Sequence, residues 1–517
     1  MKTPSAPRLD RGAEFSHASD GMLKRSLIFL HRWLGVSFCL LFLVWFPTGI
    51  GMMYWEFPSV TPEARLERAV HLHAGAVKRS PAEAWAALGE PGEPLRARLH
   101  VLDGRPLYRF QTRGGERQVY ADSGEPRLNV SAEMAGRIAS AWTGQSANEA
   151  NVETLDEADQ WTVLGSFRSL RPLWKYSWPN GEHVYVSPKS GEVVQYTTTS
   201  SRIGAYLGPI PHWFYFTPLR KHQARWDAVV VYTSGIGTIA AAFGLVVGLI
   251  VLSPAKRHRH AGRPTFLPYS SGYKRWHLLI GLVVGAGAIT WAYSGMLSME
   301  PFAPPQSAAD AERARDAVRR ALRGPLAMRA FGRRHPHEVL AALAPTGIKE
   351  LELLSIGEEP MYLATFGPGD SRIVRLDGQV QRAFDESALG AIVRTSVGAP
   401  GVAELRTTGE YDRYYLDRRG NLPLPVLLAQ LNDSDRSRFY IDPRTALIVG
   451  SYNAADWSSR WLYHGLHSLD FPWLYNHRPV WDIVLIAFML GGTALSVTSV
   501  VLAWRVVRRS VRPRGTA

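Results

Sequence analysis

Histidine is the residue type in this 517-residue chain with the clearest capacity for chemistry, because several histidines recur at fixed spacing beside apolar segments. Two pairs stand out: His31 with His277, and His212 with His467. A neutral imidazole is a good ligand for haem iron. The single cysteine, Cys39, and the lack of a C-x-x-C-H motif exclude covalently attached c-type haem, iron–sulfur clusters and cysteine-rich zinc sites.

The histidines belong to a longer internal repeat. At an offset of 255 residues, one set recurs without a gap: Tyr185, Pro188, His212, His222, Trp226, Asp227 and Gly237 match Tyr440, Pro443, His467, His477, Trp481, Asp482 and Gly492. At an offset of 246 residues, a second set recurs: His31, Gly35, Trp45, Gly49 and Met53 match His277, Gly281, Trp291, Gly295 and Met299. Repetition at fixed offsets predicts two copies of one structural unit.

His31 and His277 each begin a stripe of residues at helical spacing. The first stripe continues through Gly35, Phe38, Phe42, Trp45 and Gly49, and the second through Gly281, Val284, Ala288, Trp291 and Gly295. Small residues on one helix face allow a flat macrocycle to come close. The alternative is that these stripes only pack membrane helices against each other. The symmetric pair of histidines favours ligation.

His212 and His467 each lie 14 residues before a Trp-Asp pair, in segments that are predicted to be amphipathic and interfacial. An aromatic belt with an incidental histidine is the alternative. Three further histidines are fallback ligands: His464, His222 and His477. No catalytic side chain is assigned.

Four apolar runs are long enough to cross a bilayer as helices, which takes about 20 residues. They are 34–54, 228–252, 278–299 and 483–503, and none contains an acidic or basic residue. The first run is predicted to be a retained helix, because it is too long for a signal peptide and no small-residue cleavage site follows it.

The net charge of +14 is concentrated in three short segments, 1–30, 254–276 and 505–517, which together carry +13. This bias follows the positive-inside rule and predicts that both termini are cytoplasmic. It also argues against nucleic acid as a partner, because the basic residues flank membrane spans.

The predicted fold class is a membrane protein with a four-helix transmembrane bundle, built from an internal duplication, and two periplasmic α+β domains. Each outer segment carries two strand–turn–strand patterns, beginning at Val119, Val184, Ile373 and Phe439. The predicted boundaries are 1–26 cytoplasmic tail, 27–56 first membrane helix, 57–205 first outer domain, 206–226 interfacial segment, 227–253 second helix, 254–275 basic loop, 276–300 third helix, 301–455 second outer domain, 456–480 interfacial segment, 481–504 fourth helix and 505–517 cytoplasmic tail.

Paired histidines on membrane helices without cysteine ligands suit two haem b groups with bis-imidazole ligation. His31 and His277 would hold one near the cytoplasmic face, and His212 and His467 the other near the outer face. The cytoplasmic segments are too short for a flavin or nicotinamide domain, and no Gly-rich dinucleotide fingerprint occurs. A separate donor, either a membrane quinol or a cytoplasmic reductase, is therefore expected.

The chain resembles the PepSY-associated transmembrane family, which includes ferric-siderophore reductases of the bacterial inner membrane. The matching motifs are His31-Arg-Trp-Leu-Gly, His464-Gly-Leu-His-Ser-Leu-Asp-Phe-Pro, Arg478-Pro-Val-Trp-Asp and the four hairpins. The resemblance implies periplasmic PepSY-like domains on a haem-carrying core that passes electrons to ferric chelates such as siderophores.

Two other functions are alternatives. A regulator without redox activity, whose PepSY-like domains inhibit a protease or sense a ligand, would use the histidines only for packing. A coupled transporter is disfavoured, because the four spans contain no acid or base in their interiors.

Overall fold

The computed structural model describes residues 11–252, 258–260, 263–302, 307–344, 346–398, 401–417 and 419–511. The predicted cytoplasmic segments therefore fall partly outside the described residues, at 1–10, 254–257, 261–262 and 512–517, as does residue 253 at the end of the predicted second helix. The chain divides into two compact units. One comprises residues 1–56, 203–302 and 458–517, and the other comprises 57–202 and 303–457.

The helices, in chain order, are α1 (Arg11–Tyr54), α2 (Pro62–Glu67), α3 (Pro81–Ala86), α4 (Ala132–Thr143), α5 (Thr199–Leu207), α6 (Pro209–His212), α7 (Thr217–Arg220), α8 (Gln223–Val251), α9 (Tyr273–Leu297), α10 (Ser307–Leu322), α11 (Pro336–Ala342), α12 (Glu386–Val397), α13 (Leu466–Ser468), α14 (Pro472–Tyr475) and α15 (Val480–Val511). Short 3₁₀ turns cover Ala74–Ala76, Ala147–Glu149, Gly165–Leu170 and Met328–Arg333, and a π-helical segment covers Ser458–Gly465.

The strands are β1 (Arg96–Leu102), β2 (Arg105–Thr112), β3 (Gly115–Tyr120), β4 (Asn151–Leu155), β5 (Leu173–Ser177), β6 (His183–Val186), β7 (Val193–Thr197), β8 (His258–His260), β9 (Arg263–Thr265), β10 (Glu350–Ile356), β11 (Glu359–Gly367), β12 (Asp370–Arg375), β13 (Val380–Gln381), β14 (Val402–Thr408), β15 (Val426–Leu431), β16 (Arg438–Asp442) and β17 (Leu447–Tyr452).

The helical unit contains four helices long and apolar enough to cross a membrane: Met22–Tyr54 of α1, α8, α9 and α15. Helices that are apolar on all sides are stable only when lipid or other helices surround them. Helix α1 packs against α8 and α15, and α9 packs against the same two helices. Helices α1 and α9 therefore occupy opposite corners of a four-helix bundle.

Two of these helices are longer than predicted. Helix α1 begins at Arg11, within the predicted cytoplasmic tail 1–26, and α15 continues to Val511, beyond the predicted end at 504. Both extensions are polar or basic, so hydropathy marks only the apolar part of a continuous helix.

The second unit is built around a seven-stranded antiparallel sheet in the order β13-β12-β11-β10-β1-β2-β3. Strand β1 pairs with β10 in the register Ala97↔Leu353 and Leu99↔Leu351. The two outer segments were expected to form separate domains, but they share this sheet and form one compact unit. The two segments join because β1 of the first segment forms backbone hydrogen bonds with β10 of the second.

Each outer segment also has a four-stranded sheet of its own, β4-β5-β6-β7 in the first and β14-β15-β16-β17 in the second. The predicted hairpins correspond to antiparallel pairs, β6 with β7, β12 with β13 and β16 with β17, and to a turn after β3 that a Val119↔Pro126 bridge closes. Burial alternates along β7, as is typical of a strand with one face in the core.

Candidate functional site

The first histidine pair lies between opposite corners of the helical bundle. The ring centres of His31 on α1 and His277 on α9 are 6.1 Å apart, with an angle of 35° between the ring planes. This is the predicted pair, and both residues lie near the N-terminal ends of their apolar helices. The helical stripes that begin at these histidines therefore bring the two rings together across the bundle.

The second pair lies at the other end of the bundle. The ring centres of His212, the last residue of α6, and His467 in α13 are 6.0 Å apart, and their planes are 77° apart. Thr48 contacts His212, so the spacing from His31 to Thr48 along α1 measures the separation of the two pairs. These 17 residues correspond to about 25 Å of helix.

Two buried tryptophans hold the segments that carry the second pair. The indole Nε1 of Trp226 donates to the carbonyl of Trp213 at 2.6 Å, and Nε1 of Trp481 donates to the carbonyl of Ser468 at 3.0 Å. Each acceptor is the residue directly after the histidine. Each hydrogen bond joins residues 13 positions apart, so the fixed 14-residue spacing from histidine to tryptophan keeps the indole opposite this carbonyl.

A close backbone contact seats α6 on α1. A Cβ added at Gly51 would lie 2.3 Å from the carbonyl oxygen of Leu207, and one added at Gly208 would lie 3.0 Å from the backbone of Gly51. Only glycine permits this approach. The contact fixes the height of His212 relative to α1.

Hydroxyl groups contact three of the four imidazoles at Nδ1. Thr48 Oγ1 is 3.2 Å from Nδ1 of His212, and Ser294 Oγ is 3.0 Å from Nδ1 of His467. Nδ1 of His277 lies 3.2 Å from Thr498 Oγ1. The sequence interpretation missed these hydroxyls, although Thr48 and Ser294 are separated by the same 246 residues as His31 and His277.

Burial lowers the pKa of His212 to about 4, against the smaller opposing effect of the Trp45 carbonyl. His212 is therefore neutral at physiological pH. A neutral imidazole is the form that binds a metal.

Each histidine pair lines a cavity. One cavity, of about 480 Å³, contains His31 and His277 and is called the inner cavity after the predicted orientation. The other, of about 250 Å³, contains His212 and His467 and is called the outer cavity. Three residues line both: Phe42, Phe46 and Ala288. A single layer of mainly aromatic side chains therefore separates the two cavities.

The inner cavity carries a strong positive charge. Its lining includes the side chains of Arg32, Lys274, Arg505 and Arg509. Among the described residues that line it there is no Asp or Glu. The described residues that line the outer cavity include no Asp, Glu, Lys or Arg. The two cavities thus offer similar imidazole pairs in different electrostatic surroundings.

The fallback histidines occupy other positions. His222 and His477 are exposed just before α8 and α15. His464 is largely exposed, with Nδ1 3.9 Å from Asp470, and its ring contacts Tyr463. Within the described part of the chain, no group of three or more His, Cys, Asp or Glu residues suggests a separate metal site.

The family model described as the PepSY-associated TM region matches residues 28–399 of this chain. The chain belongs to the PepSY-associated transmembrane family. The match begins three residues before His31 and covers three of the four apolar helices. Family membership and the four apolar helices together make this a membrane protein with α+β parts. A search of curated proteins gives no match.

Proposed function

We propose that this PepSY-associated protein is a di-haem electron-transfer protein of the bacterial inner membrane that reduces ferric chelates of the siderophore type in the periplasm. The observation that carries the proposal is the meeting of four repeated histidines as two pairs. Elsewhere in the described chain, no competing cluster of metal ligands occurs.

The spacing of each pair fits bis-imidazole ligation. Two imidazoles that bind one metal from opposite sides, with metal–nitrogen bonds of about 2 Å, have ring centres about 6 Å apart. The two observed separations are 6.1 and 6.0 Å. His31 with His277, and His212 with His467, would therefore hold the two haem b groups. When bound, haem supplies reversible one-electron chemistry.

The cavity linings support the same assignment. Gly35, Gly281 and Ala288 leave room beside the inner imidazoles, and most of the other residues that line this cavity are apolar. The cations at the inner cavity suit the two carboxylates of haem b, because Arg and Lys bind carboxylates through charge-assisted hydrogen bonds. These side chains would orient and retain the group, while the imidazoles would bind the metal.

An outward electron relay is supported by the position of the two pairs along the bundle. They lie at opposite ends of the apolar spans, and Phe42, Phe46 and Ala288 alone line both cavities among the described residues. The basic segments put the inner pair at the cytoplasmic side by the positive-inside rule. A quinol or a cytoplasmic reductase would deliver electrons there, and the periplasmic unit would dock the ferric chelate.

We further propose that the chain is an internal duplication, and matched contacts support this. The hydroxyl of Tyr108 donates to the carbonyl of Arg79 at 2.8 Å, and that of Tyr362 donates to the carbonyl of Arg334 at 2.8 Å. These residues recur at offsets of 254 and 255. The indole hydrogen bonds of Trp226 and Trp481 form another matched pair.

A reduced-minus-oxidised visible spectrum of the purified protein tests the proposal. We expect a Soret band, α and β bands of low-spin haem b, and two haems per chain by pyridine haemochrome assay. His31→Ala and His212→Ala should each remove about half of the haem, whereas His222→Ala should remove none. A correctly folded protein without a Soret band would instead support the regulatory function.

A further inference from the structure

The hydroxyls that contact the imidazoles also donate hydrogen bonds to carbonyl oxygens of their own helices. Thr48 Oγ1 donates to the carbonyls of Val44 at 2.8 Å and Trp45 at 3.1 Å, and Ser294 Oγ donates to the carbonyl of Trp291 at 3.1 Å. A carbonyl oxygen can only accept, and a hydroxyl has one proton. With that proton on a carbonyl, each hydroxyl oxygen can accept from the imidazole Nδ1.

The same arrangement occurs beside His277. Thr498 Oγ1 and Ser499 Oγ both donate to the carbonyl of Leu495, at 2.7 and 2.8 Å. Their oxygens lie 3.2 and 3.4 Å from Nδ1 of His277. At all three histidines a hydroxyl oxygen can thus accept a hydrogen bond from Nδ1, and a proton on Nδ1 leaves the lone pair of the ring on Nε2.

We propose that Thr48, Ser294 and the Thr498–Ser499 pair are positioning residues that fix the tautomer of three haem ligands and increase their basicity. This inference rests on the proposed function. A hydrogen bond from the second ring nitrogen orients a ligating imidazole and makes it a stronger donor to the metal. A stronger donor favours the ferric state, so each hydroxyl lowers the midpoint potential of its own site.

His31 is the exception. Its Nδ1 is buried and has no hydrogen-bond partner among the described residues. The residue 255 positions before Ser499 is Gly244, which has no hydroxyl and lies directly against the His31 ring. The outer site therefore has two hydroxyl-supported ligands, and the inner site has one.

The experiment is a redox titration of the purified full-length protein, with the two components assigned through His31→Ala and His212→Ala. Thr48→Val and Ser294→Ala remove a hydroxyl at nearly constant shape. Thr48→Ser and Ser294→Thr keep it and serve as matched controls. The Thr498→Val/Ser499→Ala double variant tests the inner site. Haem affinity is measured by transfer to excess apomyoglobin.

We expect Thr48→Val and Ser294→Ala to raise only the midpoint potential of the outer haem, which His212 and His467 would hold. The double variant should raise only the midpoint potential of the inner haem, which His31 and His277 would hold. Haem affinity at the affected site should fall by about tenfold or more, as is usual when such a partner is lost. The hydroxyl-retaining controls should resemble the wild type.

Unchanged potentials in the hydroxyl-free variants, or equal shifts in the hydroxyl-retaining controls, would overturn the inference and leave the di-haem proposal standing. A wild-type protein without haem would overturn both.

Discussion

Four imidazoles carry the proposed chemistry, and their immediate neighbours differ more than the repeat suggests. His277 has two hydroxyls beside Nδ1, whereas His31 has Gly244 against its ring. An added Cβ at position 244 would lie 2.7 Å from Cε1 of His31 and 3.1 Å from Nδ1. Glycine is therefore required for His31 to keep its place opposite His277.

This contact gives the first prediction. Gly244→Ala should displace the His31 ring, because overpacking of a tight contact costs about 1–3 kcal/mol. We expect loss of the inner haem component and about half of the total haem in the pyridine haemochrome assay. Gly287→Ala on α9 is the control, since its Cβ would meet Phe488 at an ordinary 3.5 Å. Full inner haem in Gly244→Ala would refute the assigned position of His31.

At the scale of elements, short helices and turns rather than membrane spans carry His212 and His467. Their positions depend on the glycine contact between α1 and the chain before α6, and on the two indole hydrogen bonds. The glycine contact and the indole hydrogen bonds both involve backbone atoms of the segments that carry these histidines. Substitutions far from either imidazole should therefore change the outer site.

The second prediction concerns Gly51. Gly51→Ala should push Leu207 and α6 away from α1, because its Cβ would lie 2.3 Å from a backbone oxygen. We expect a lower Tm in detergent and selective loss of the outer haem component. Gly35→Ala on the same helix meets nothing within 4 Å and should leave the outer component intact. Equal effects of the two variants on that component would contradict this account.

The third prediction concerns the indole donors. Trp481→Phe keeps the aromatic ring but removes the hydrogen bond to Ser468, which is worth about 1 kcal/mol. We expect weaker haem retention at the outer site in the apomyoglobin transfer assay. Trp473→Phe is the control, because that side chain is exposed. If both variants retain haem equally, the indole does not position His467.

At the scale of the whole molecule, charged side chains tie the two outer segments into one unit. Arg98 contacts Glu192 at 2.5 Å in the first segment and Glu350 at 3.3 Å in the second, and Arg109 contacts Glu192 at 3.1 Å. Burial would raise the pKa of Glu192, but the guanidinium groups of Arg109, Arg98 and Arg65 lower it overall.

The fourth prediction follows from this lowered pKa. A carboxyl whose pKa is lower in the folded state stabilises the fold above its unfolded pKa, and that contribution is lost as pH falls through the folded pKa. Glu192→Gln should therefore lower stability by about 2 kcal/mol at pH 7. The difference from the wild type should shrink as pH falls below about 4. Thermal unfolding of the full-length protein measures it.

Glu67→Gln is the control for this experiment, because Glu67 is exposed. A difference between the wild type and Glu192→Gln that stays constant from pH 7 to pH 3 would show that the ionised carboxylate is not what stabilises the network.

The fifth prediction concerns topology. The single cysteine, Cys39, is buried, so a Cys39→Ala background permits labelling of introduced thiols. Leu128→Cys, at a position that is 85% exposed in the sheet-containing unit, should react with a membrane-impermeant maleimide in intact cells. Arg508→Cys, near the C-terminal end of α15, should react only after permeabilisation. The reverse pattern would invert the proposed orientation.

The sequence by itself predicted the four membrane helices and the histidines that lie next to each other as two pairs. The helices follow from the length of the apolar runs, and the histidine pairs follow from the two fixed offsets of the internal repeat. Hydropathy and repetition are both properties of the linear sequence. The hairpins could be predicted for the same reason, since turn residues and β-branched or aromatic strand residues are local signals.

Only the tertiary structure decided that β1 and β10 join the two outer segments in one sheet. Strand edges carry no local signal for a partner about 250 residues away, and only a folded register selects it. Three further features could not be predicted from the sequence: the hydroxyls beside the imidazoles, the indole donors and the glycine contacts. Each depends on groups from separate segments that meet only in the folded protein. The lack of a hydroxyl beside His31 follows from one of these contacts, the approach of Gly244 to its ring.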